Sequence, residues 1–430
     1  MKEDFQPVRG TRDFLPEEKI VRQKIVDTLR EIFETFGFSP LETPGLERWE
    51  ILSKKYAGGD EILKETYRLK DQGGRELGLR YDLTVPLCRV IAANPELPKP
   101  FKRYQIGRVW RDGPVKKGRY REFWQCDIDT VGSNSMIADA ELVKVIDVVA
   151  KKLNIKAEIK INNRKILNGI LKYAGIDDDK MNDVILSIDK LEKIGVDGVE
   201  KELMEKRIDE DKIRSVMEIL LTGGSNEEII NSLRKIEEAK EGLMEIEELF
   251  SYLNLMGVDN VRFVPSLARG LVYYTGTIFE AFFKDSEITS SFAAGGRYDD
   301  LIGKFLGSEK IPAVGVSFGL DVLTDYLSSK VEKKRTLTKV FVIPIGTLND
   351  SLKILQRLRD AGIKSDIDLM ERGISKNLNY VNSQGIPYSL IIGEKELKEN
   401  TVKLKDMKSG EEKLIKIEDL IEEMKSILRG

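Results

Sequence analysis

The sequence predicts an α+β domain that is built on an antiparallel sheet with a helical insertion, followed by a smaller α/β domain. Short mixed runs broken by Gly and Pro, typical of antiparallel strands, fill residues 67–131 and resume over 261–323. Charged segments with helical periodicity separate these regions at about 163–250. Strands alternate with helices after residue 339. We therefore expect one sheet that is split by an insertion, and a separate second domain.

The elements follow in this order. Apolar residues recur at helical spacing from Pro16 to about Phe36, and Gly37 lies just past the end, so this segment is predicted to be a helix. Residues 38–44 are predicted to be extended, and a second helix covers about 138–153. The predicted strands of the first domain include YRLKD, LGLRYDLTV and FWQCDIDTV. In the second domain the strand KVFVIPIG is followed by a helix at 350–361 and then by the strands KSDIDL and YSLIIG.

Length and composition agree with two soluble domains. A chain of 430 residues is longer than one compact hydrophobic core usually accommodates, so more than one domain is expected. The polar segment SSKVEKKRTLT predicts a linker at 328–338, between a first domain at 1–327 and a second at 339–430. The 41% of hydrophobic residues include no apolar stretch near membrane-spanning length. The charged N-terminal segment lacks the apolar region of a signal peptide, so we expect a cytoplasmic protein without a membrane association.

The chain contains no histidine, and this absence excludes several kinds of chemistry. A Ser-His-Asp triad, a Cys-His pair and an HExxH zinc site are all excluded. The only cysteines, Cys88 and Cys126, lack CxxC spacing, so we expect no zinc site and no disulfide framework. Catalysis must rest on Arg, Lys, Asp, Glu, Tyr, bound metal or the substrate itself.

A basic segment interleaved with aromatic residues is the first candidate for phosphate binding. Its basic residues are Lys102, Arg103, Arg108, Arg111, Lys116, Lys117, Arg119 and Arg121, and its aromatic residues are Tyr104, Trp110, Tyr120, Phe123 and Trp124. Arginine suits phosphate oxygens, and an aromatic face can stack on a base. The local pattern leaves open an ordinary basic loop between two strands, with aromatic residues in the core.

Two further segments offer polar groups for a small ligand. SLARGLVYYTG supplies Arg269, Tyr273 and Tyr274, although in isolation an ordinary strand with an exposed arginine is the favoured interpretation. AAGGRYD, from Ala293 to Asp299, lets the backbone approach a ligand closely. It is neither GxGxxG nor GxxxxGK[ST], so neither a Rossmann site nor a P-loop is predicted.

Taken together, the motifs resemble those of the histidyl-tRNA synthetase family, which belongs to the class IIa aminoacyl-tRNA synthetases. The matching segments, in chain order over nearly the whole sequence, are RGTRDFLP, RYDLTVPL, FKRYQIGRVWRDGPVKKGRYREFWQCDIDTVG, SLARGLVYYTGTIFE and AGGRYDDL. The resemblance implies that L-histidine is activated with ATP and transferred to tRNA(His), with release of AMP and pyrophosphate. It also implies a homodimer whose interface includes the region of Pro44, a helical insertion that contacts the tRNA acceptor arm, and an anticodon-binding second domain.

The resemblance also assigns residues to ATP. Arg111 matches the arginine that holds the α-phosphate, and Arg269 matches the catalytic arginine that stabilises charge there. Phe123 matches the residue that stacks on adenine, with Arg121 beside it. ATP is expected to bring Mg²⁺ as part of the substrate, and no organic cofactor is implied.

A second group of residues is assigned to histidine by the same resemblance. Asp82, Leu83 and Thr84 match the pocket for the α-amino group, with Gln125 beside them. Asp129 and Tyr273 match the residues that recognise imidazole, and Tyr274 is adjacent. A carboxylate and a hydroxyl suit the one donor and one acceptor of neutral imidazole.

One departure from the family pattern favours an alternative, and another is milder. Val322 occupies the place of an arginine that lies against ATP, and Val272 stands where Asp is usual. A synthetase-like regulatory subunit of ATP phosphoribosyltransferase senses histidine without charging tRNA, and the loss of the arginine is consistent with it. The retained Arg111, Arg269 and Gln125 and the α/β domain after Lys339 favour the synthetase.

Overall fold

The structure is a computed structural model that describes residues 5–54, 63–115, 118–270, 273–307, 310–328, 330 and 334–429. The chain divides into two compact units. The first unit comprises Met1–Asp13 and Lys24–Ser329. The second comprises Phe14–Gln23 and Lys330–Gly430, and the inclusion of its N-terminal segment is not indicated by the sequence.

A large mixed sheet forms the centre of the first unit. The strands of this unit are β1 (Ser39–Pro40), β2 (Leu46–Arg48), β3 (Arg68–Lys70), β4 (Glu76–Leu79), β5 (Phe101–Trp110), β6 (Glu122–Val131), β7 (Ala157–Asn163), β8 (Val261–Phe263), β9 (Thr277–Phe283), β10 (Ala293–Arg297) and β11 (Ala313–Gly319). Eight of them form one sheet in the order β1-β5-β6-β11-β10-β9-β7-β8. Its strands pair antiparallel except at the two ends, where β1–β5 and β7–β8 are parallel. The remaining three form a small antiparallel sheet, β2-β4-β3.

Helices flank this sheet and also form an insertion within it. They are α1 (Pro16–Thr35), α2 (Trp49–Lys54), α3 (Thr84–Ala93), α4 (Met136–Lys152), α5 (Arg164–Tyr173), α6 (Met181–Ile188), α7 (Leu191–Glu205), α8 (Glu210–Leu220), α9 (Asn226–Leu233), α10 (Lys240–Leu255), α11 (Asp299–Leu306) and α12 (Leu320–Ser328). Helices α5–α10 lie between β7 and β8, where the sequence predicts the insertion. No helix in the described ranges is both long and apolar enough to cross a bilayer.

One predicted strand ends earlier than the sequence pattern indicates. The run LGLRYDLTV reads as extended, yet β4 ends at Leu79 and helix α3 begins at Thr84. The Asp82 carboxylate accepts hydrogen bonds from the backbone N–H groups of Thr84 (3.0 Å) and Val85 (2.9 Å), which are left without partners at a helix start. Pro86 is tolerated in the first turn, where its missing N–H costs nothing. The apolar residues of α3 pack into the core.

The second unit is an α/β domain, as predicted. Its elements are β12 (Val340–Ile345), α13 (Leu348–Asp360), β13 (Ser365–Ile367), α14 (Ile374–Gln384), β14 (Tyr388–Gly393), α15 (Glu394–Lys398), β15 (Thr401–Asp406), β16 (Glu412–Lys416) and α16 (Leu420–Arg429). The strand order is β13-β12-β14-β15-β16, with the first three parallel and the last two antiparallel. Its core is formed by apolar residues from the sheet and from the helices, including Val342, Leu358 and Leu390.

Candidate active site

One face of strand β6 carries a row of side chains that line a cavity. Residues two apart in a strand share a face, so Phe123, Gln125, Asp127 and Asp129 point the same way. The alternate residues belong to the other face, where Cys126 is fully buried. The period of the strand therefore assembles an aromatic ring, an amide and two carboxylates along one wall.

The cavity brings together most of the residues that the sequence predicts for substrate binding. Those that line it are Asp82, Thr84, Arg111, Phe123, Gln125, Asp129, Arg269, Tyr273 and Tyr274. Ala294, Gly295, Gly296 and Tyr298 also line it, and they belong to the AAGGRYD segment that was expected to approach a ligand. Lining residues that were not predicted from the sequence are Tyr81, Asp127, Gly315, Val316 and Ser317. Leu83 and Arg121 do not line it. Leu83 is buried at the start of α3, and Arg121 pairs with Asp112 at 3.2 Å.

Asp129 is the most firmly held carboxylate in the cavity. Arg103 lies opposite it in the β5–β6 register and forms an ion pair from Nη2 to Oδ2 at 2.6 Å. The Tyr298 hydroxyl donates to Oδ1 at 2.5 Å. Burial raises the pKa of Asp129, and the Arg103 guanidinium and the Tyr298 hydrogen bond oppose that rise. These two partners fix the orientation of the carboxylate before any ligand binds.

A second buried carboxylate, Asp127, lies two residues away. Burial raises the pKa of Asp127 to about 7, the nearby Arg103 lowers it, and the negative charge of Asp129 raises it further. Asp127 was not among the predicted site residues, although its spacing from Gln125 and Asp129 on a predicted strand placed it on the same face. The cavity therefore contains a carboxyl group that can be neutral or charged near neutral pH.

Gly315 on β11 makes room for Asp129. The two residues are paired across the β6–β11 register. A Cβ atom added at Gly315 would lie 2.0 Å from Asp129 Oδ1 and 2.7 Å from its Cγ. No side chain can therefore occupy this position while Asp129 keeps its place.

Arg111 offers an uncompensated cation beside the aromatic wall. Its guanidinium lies over the Phe123 ring, 4.2 Å from the centroid, and Nε donates to the carbonyl of Tyr120 at 2.9 Å. Burial lowers the pKa of Arg111, and the nearby Tyr81 opposes this shift. Among the described residues it forms no ion pair with a carboxylate, so its charge is available for an anionic ligand.

Other basic residues of the same segment are already paired. Arg103 is fully buried against Asp129, Arg108 contacts Glu122 at 3.5 Å, and Arg119 contacts Glu65 at 2.7 Å. Arg103 lies in the middle of β5, where its neighbours Tyr104 and Gln105 are buried as well. Arg103 is therefore engaged by Asp129, and among the residues of the basic segment it is not a candidate for phosphate binding. Lys116 and Lys117 lie outside the described residues.

Arg269 lies across the cavity from this wall, within a cluster of tyrosines. Its Nη1 lies 3.2 Å from Glu280 Oε1, and its guanidinium is 5.7 Å from the centroid of the Tyr274 ring. Burial disfavours its charge, yet the attraction of Tyr274 and Glu280 leaves the pKa of Arg269 above its ordinary value. The rings of Tyr273 and Tyr274 lie 4.8 Å apart, and Tyr273 meets the edge of Tyr298 at 6.2 Å.

The two departures from the family pattern are placed differently. Val322 lies in the first turn of α12, next to Asp321. The Asp321 carboxylate accepts a hydrogen bond from the backbone N–H of Trp124 (3.2 Å) and forms an ion pair with Arg12 Nη2 (3.3 Å). The residue next to Val322 in the chain therefore binds a cation. Val272 lies outside the described residues. No group of carboxylate, cysteine or histidine side chains in the described ranges is arranged to hold a metal ion by itself.

The large sheet with its polar cavity, and the second α/β unit, define an aminoacyl-tRNA synthetase, which is a ligase that uses ATP. A family model described as histidyl-tRNA synthetase matches residues 10–323, and one described as anticodon binding domain matches residues 339–427. The chain belongs to the histidyl-tRNA synthetase family.

Individual relatives agree with this assignment. The chain is 47% identical to histidine–tRNA ligase 1 of Bacillus cereus over 426 residues, which cover 97% of this chain and 99% of the relative. It is 40% identical to histidine–tRNA ligase of Bacteroides fragilis, with 96% and 97% covered. The crystal structure of histidyl-tRNA synthetase from Nostoc sp. PCC 7120 is similar, with a TM-score of 0.88, 33% identity, and 99% and 100% covered.

A structure from Bacillus halodurans C, described as an ATP phosphoribosyltransferase regulatory subunit/histidyl-tRNA synthetase, is also similar. Its TM-score is 0.75, and 89% of this chain and 98% of that chain are covered. At 22% identity this similarity shows the fold alone. The ligases named above, by contrast, are similar in sequence over nearly their whole length, which favours the ligase over the regulatory subunit.

Proposed function

We propose that this cavity activates L-histidine with ATP and transfers the histidyl group to tRNA(His). A histidine carboxylate oxygen attacks the α-phosphorus of ATP, the bond to the β-phosphate oxygen breaks, and pyrophosphate leaves. A ribose hydroxyl of the tRNA then attacks the histidyl carbonyl, the bond to the phosphate oxygen breaks, and AMP leaves. The observation that carries this proposal is the arrangement of Arg111, Phe123, Asp129 and Arg269 around one cavity.

The nucleotide is proposed to bind along the Arg111–Phe123 side. Adenine would stack on Phe123, and the unpaired charge of Arg111 would hold the α-phosphate. Mg²⁺ would enter with the triphosphate, whose oxygens are the ligands it prefers. Arg121 already pairs with Asp112, so a direct role in ATP binding requires that this contact open.

Histidine is proposed to bind at the Asp129 end of the strand. Asp129 would accept a hydrogen bond from an imidazole N–H, and the Tyr273 hydroxyl would complete the recognition. Because Arg103 and Tyr298 already orient Asp129, little conformational entropy is lost on binding. Asp82, Thr84 and Gln125 would receive the α-amino group. A competitor that leaves these buried polar groups unpaired is rejected.

Arg269 is proposed to act on the chemical step. Negative charge develops at the α-phosphate as the carboxylate attacks, and a fixed guanidinium stabilises it without reorganisation. The carboxylate of histidine is already a nucleophile, so no protein base is required in this step. In the second step a phosphate oxygen of the adenylate can accept the ribose proton.

The remaining partners follow from the family assignment. We propose that the insertion contacts the acceptor arm of the tRNA and that the second unit binds the anticodon, in agreement with the family model that matches it. A homodimer in the cytoplasm, with the region of Pro44 in its interface, is part of the same proposal. Arg80 fixes that region by donating from Nη1 to the carbonyl of Thr43 at 2.5 Å.

The test is tRNA charging by the full-length chain. Purified protein is incubated with ATP, labelled histidine and unfractionated bacterial tRNA. The proposal predicts that acid-precipitable histidine accumulates and that AMP and pyrophosphate form with it. Histidine binding without charging would instead support the regulatory subunit.

A further inference from the structure

The segment that carries Arg269 is held to the large sheet just before this residue. Asn162, which is buried near the end of β7, donates from Nδ2 to the carbonyl oxygens of Pro265 (2.8 Å) and Leu267 (2.9 Å). Two hydrogen bonds from one buried amide fix this stretch of backbone. The sheet therefore fixes the backbone that precedes Arg269.

A residue of the helical insertion holds the segment on the other side of Arg269. Asp189 directly follows helix α6, and its carboxylate lies against the backbone of Gly270. The contact is close, because a Cβ atom at Gly270 would lie 3.2 Å from Asp189 Oδ2. The carboxylate also attracts the Arg269 guanidinium.

Arg269 therefore lies under the influence of two carboxylates from different parts of the fold. Glu280 belongs to strand β9 and contacts Nη1, whereas Asp189 belongs to the insertion and lies against the backbone of the next residue, Gly270. An arginine with one carboxylate partner can turn freely about that contact. A second anchor on its backbone limits the positions that the guanidinium can reach.

We propose that Asp189 is a positioning residue for Arg269, through which the helical insertion controls the geometry of adenylate formation. The inference rests on the proposed function, because Arg269 needs an exact position only if it acts on the α-phosphate. A displacement of about 1 Å in such a group lowers a rate by up to about a hundredfold. A movement of the insertion would reach the reaction centre through this carboxylate.

The test uses histidine-dependent ATP–pyrophosphate exchange by the full-length chain carrying Asp189→Ala. We expect kcat to fall about ten- to hundredfold while the KM for histidine changes less than about twofold, since Asp189 does not line the cavity. The matched control is Asp183→Ala, which removes an exposed carboxylate from the same helix and should leave kcat unchanged. Wild-type kcat in Asp189→Ala overturns the inference.

A double-mutant cycle separates positioning from a general structural effect. In an Arg269→Ala background, adding Asp189→Ala should cost nothing further, because the group that Asp189 positions is gone. If the fold-losses in kcat of the two single variants simply multiply in the double variant, Asp189 acts elsewhere and the inference is overturned. If Asp189→Ala does not fold, Asp189→Asn keeps the size of the side chain but removes the charge that attracts Arg269, so kcat should still fall and the same cycle applies. A wild-type chain without histidine-dependent exchange would overturn the proposed function itself.

Discussion

The substitution Gly315→Ala should damage histidine recognition by displacing the Asp129 carboxylate. A Cβ at this position would lie 2.0 Å from Asp129 Oδ1, whereas carbon and oxygen atoms normally remain about 3.5 Å apart. The carboxylate must therefore move by more than about 1 Å. It cannot do so and keep both the Tyr298 hydrogen bond and the Arg103 ion pair.

The size of the effect follows from those contacts. Loss of one hydrogen bond to a charged group costs about 1.5–3 kcal/mol. If the displaced carboxylate also fails to meet the imidazole, the same energy is lost from histidine binding. Since 1.36 kcal/mol corresponds to a factor of ten, the KM for histidine should rise about ten- to hundredfold. The KM for ATP should change little, because Arg111 and Phe123 lie elsewhere on the wall.

The assay is histidine-dependent pyrophosphate exchange at saturating ATP. Gly319→Ala on the same strand is the matched control, because its added Cβ would meet nothing closer than 3.5 Å and should leave the KM unchanged. Thermal melting of both variants shows whether the fold is retained. An unchanged histidine KM in folded Gly315→Ala would refute the role assigned to Asp129.

Three further predictions concern the same cavity. Arg269→Ala should lower the rate of adenylate formation by about two to three powers of ten with a smaller effect on histidine binding, as measured in single-turnover experiments; equal losses would assign it to ground-state binding. Asp127 has a pKa raised to about 7, so between about pH 4 and pH 7 the folded chain holds a proton that the unfolded chain has released, and stability falls as the pH rises through this window. The melting temperature of Asp127→Asn should therefore rise relative to that of the wild type as the pH increases over that range. A difference in melting temperature that does not change with pH would contradict the burial argument. Val322→Arg should leave exchange activity similar or modestly lower the KM for ATP; a wild type that is inert until this change is made would favour the regulatory subunit.

Much of the fold is predictable because periodicity is a local property of the chain. The helix predicted from Pro16 to about Phe36 spans Pro16–Thr35. The alternation of strand and helix after residue 339 likewise gives the observed α/β unit. The segment before Thr84 was misread because a carboxylate cap and a proline in the first turn form a helix start inside a run that otherwise resembles a strand.

The cavity was predicted less completely, and the reason is pairing between distant parts of the chain. Arg103 was counted among residues for phosphate, but its partner Asp129 comes from the neighbouring strand, and register is not visible in one strand alone. Tyr298 lies within a recognised motif, yet its hydroxyl acquires a role only because β10 ends near Asp129. Asp189 could be predicted least of all, because only the tertiary fold brings the insertion to Gly270.

The most direct test of the account is ATP–pyrophosphate exchange by the wild-type chain with each of the twenty amino acids supplied singly. The cavity combines an oriented carboxylate at Asp129 with the Tyr273 hydroxyl and with the guanidinium of Arg111, which forms no ion pair with a carboxylate among the described residues. The account predicts exchange with histidine alone, and its loss in Asp129→Ala mainly through weaker histidine binding, by about 1.5–3 kcal/mol. Equal exchange with another amino acid, or none with histidine, would contradict it.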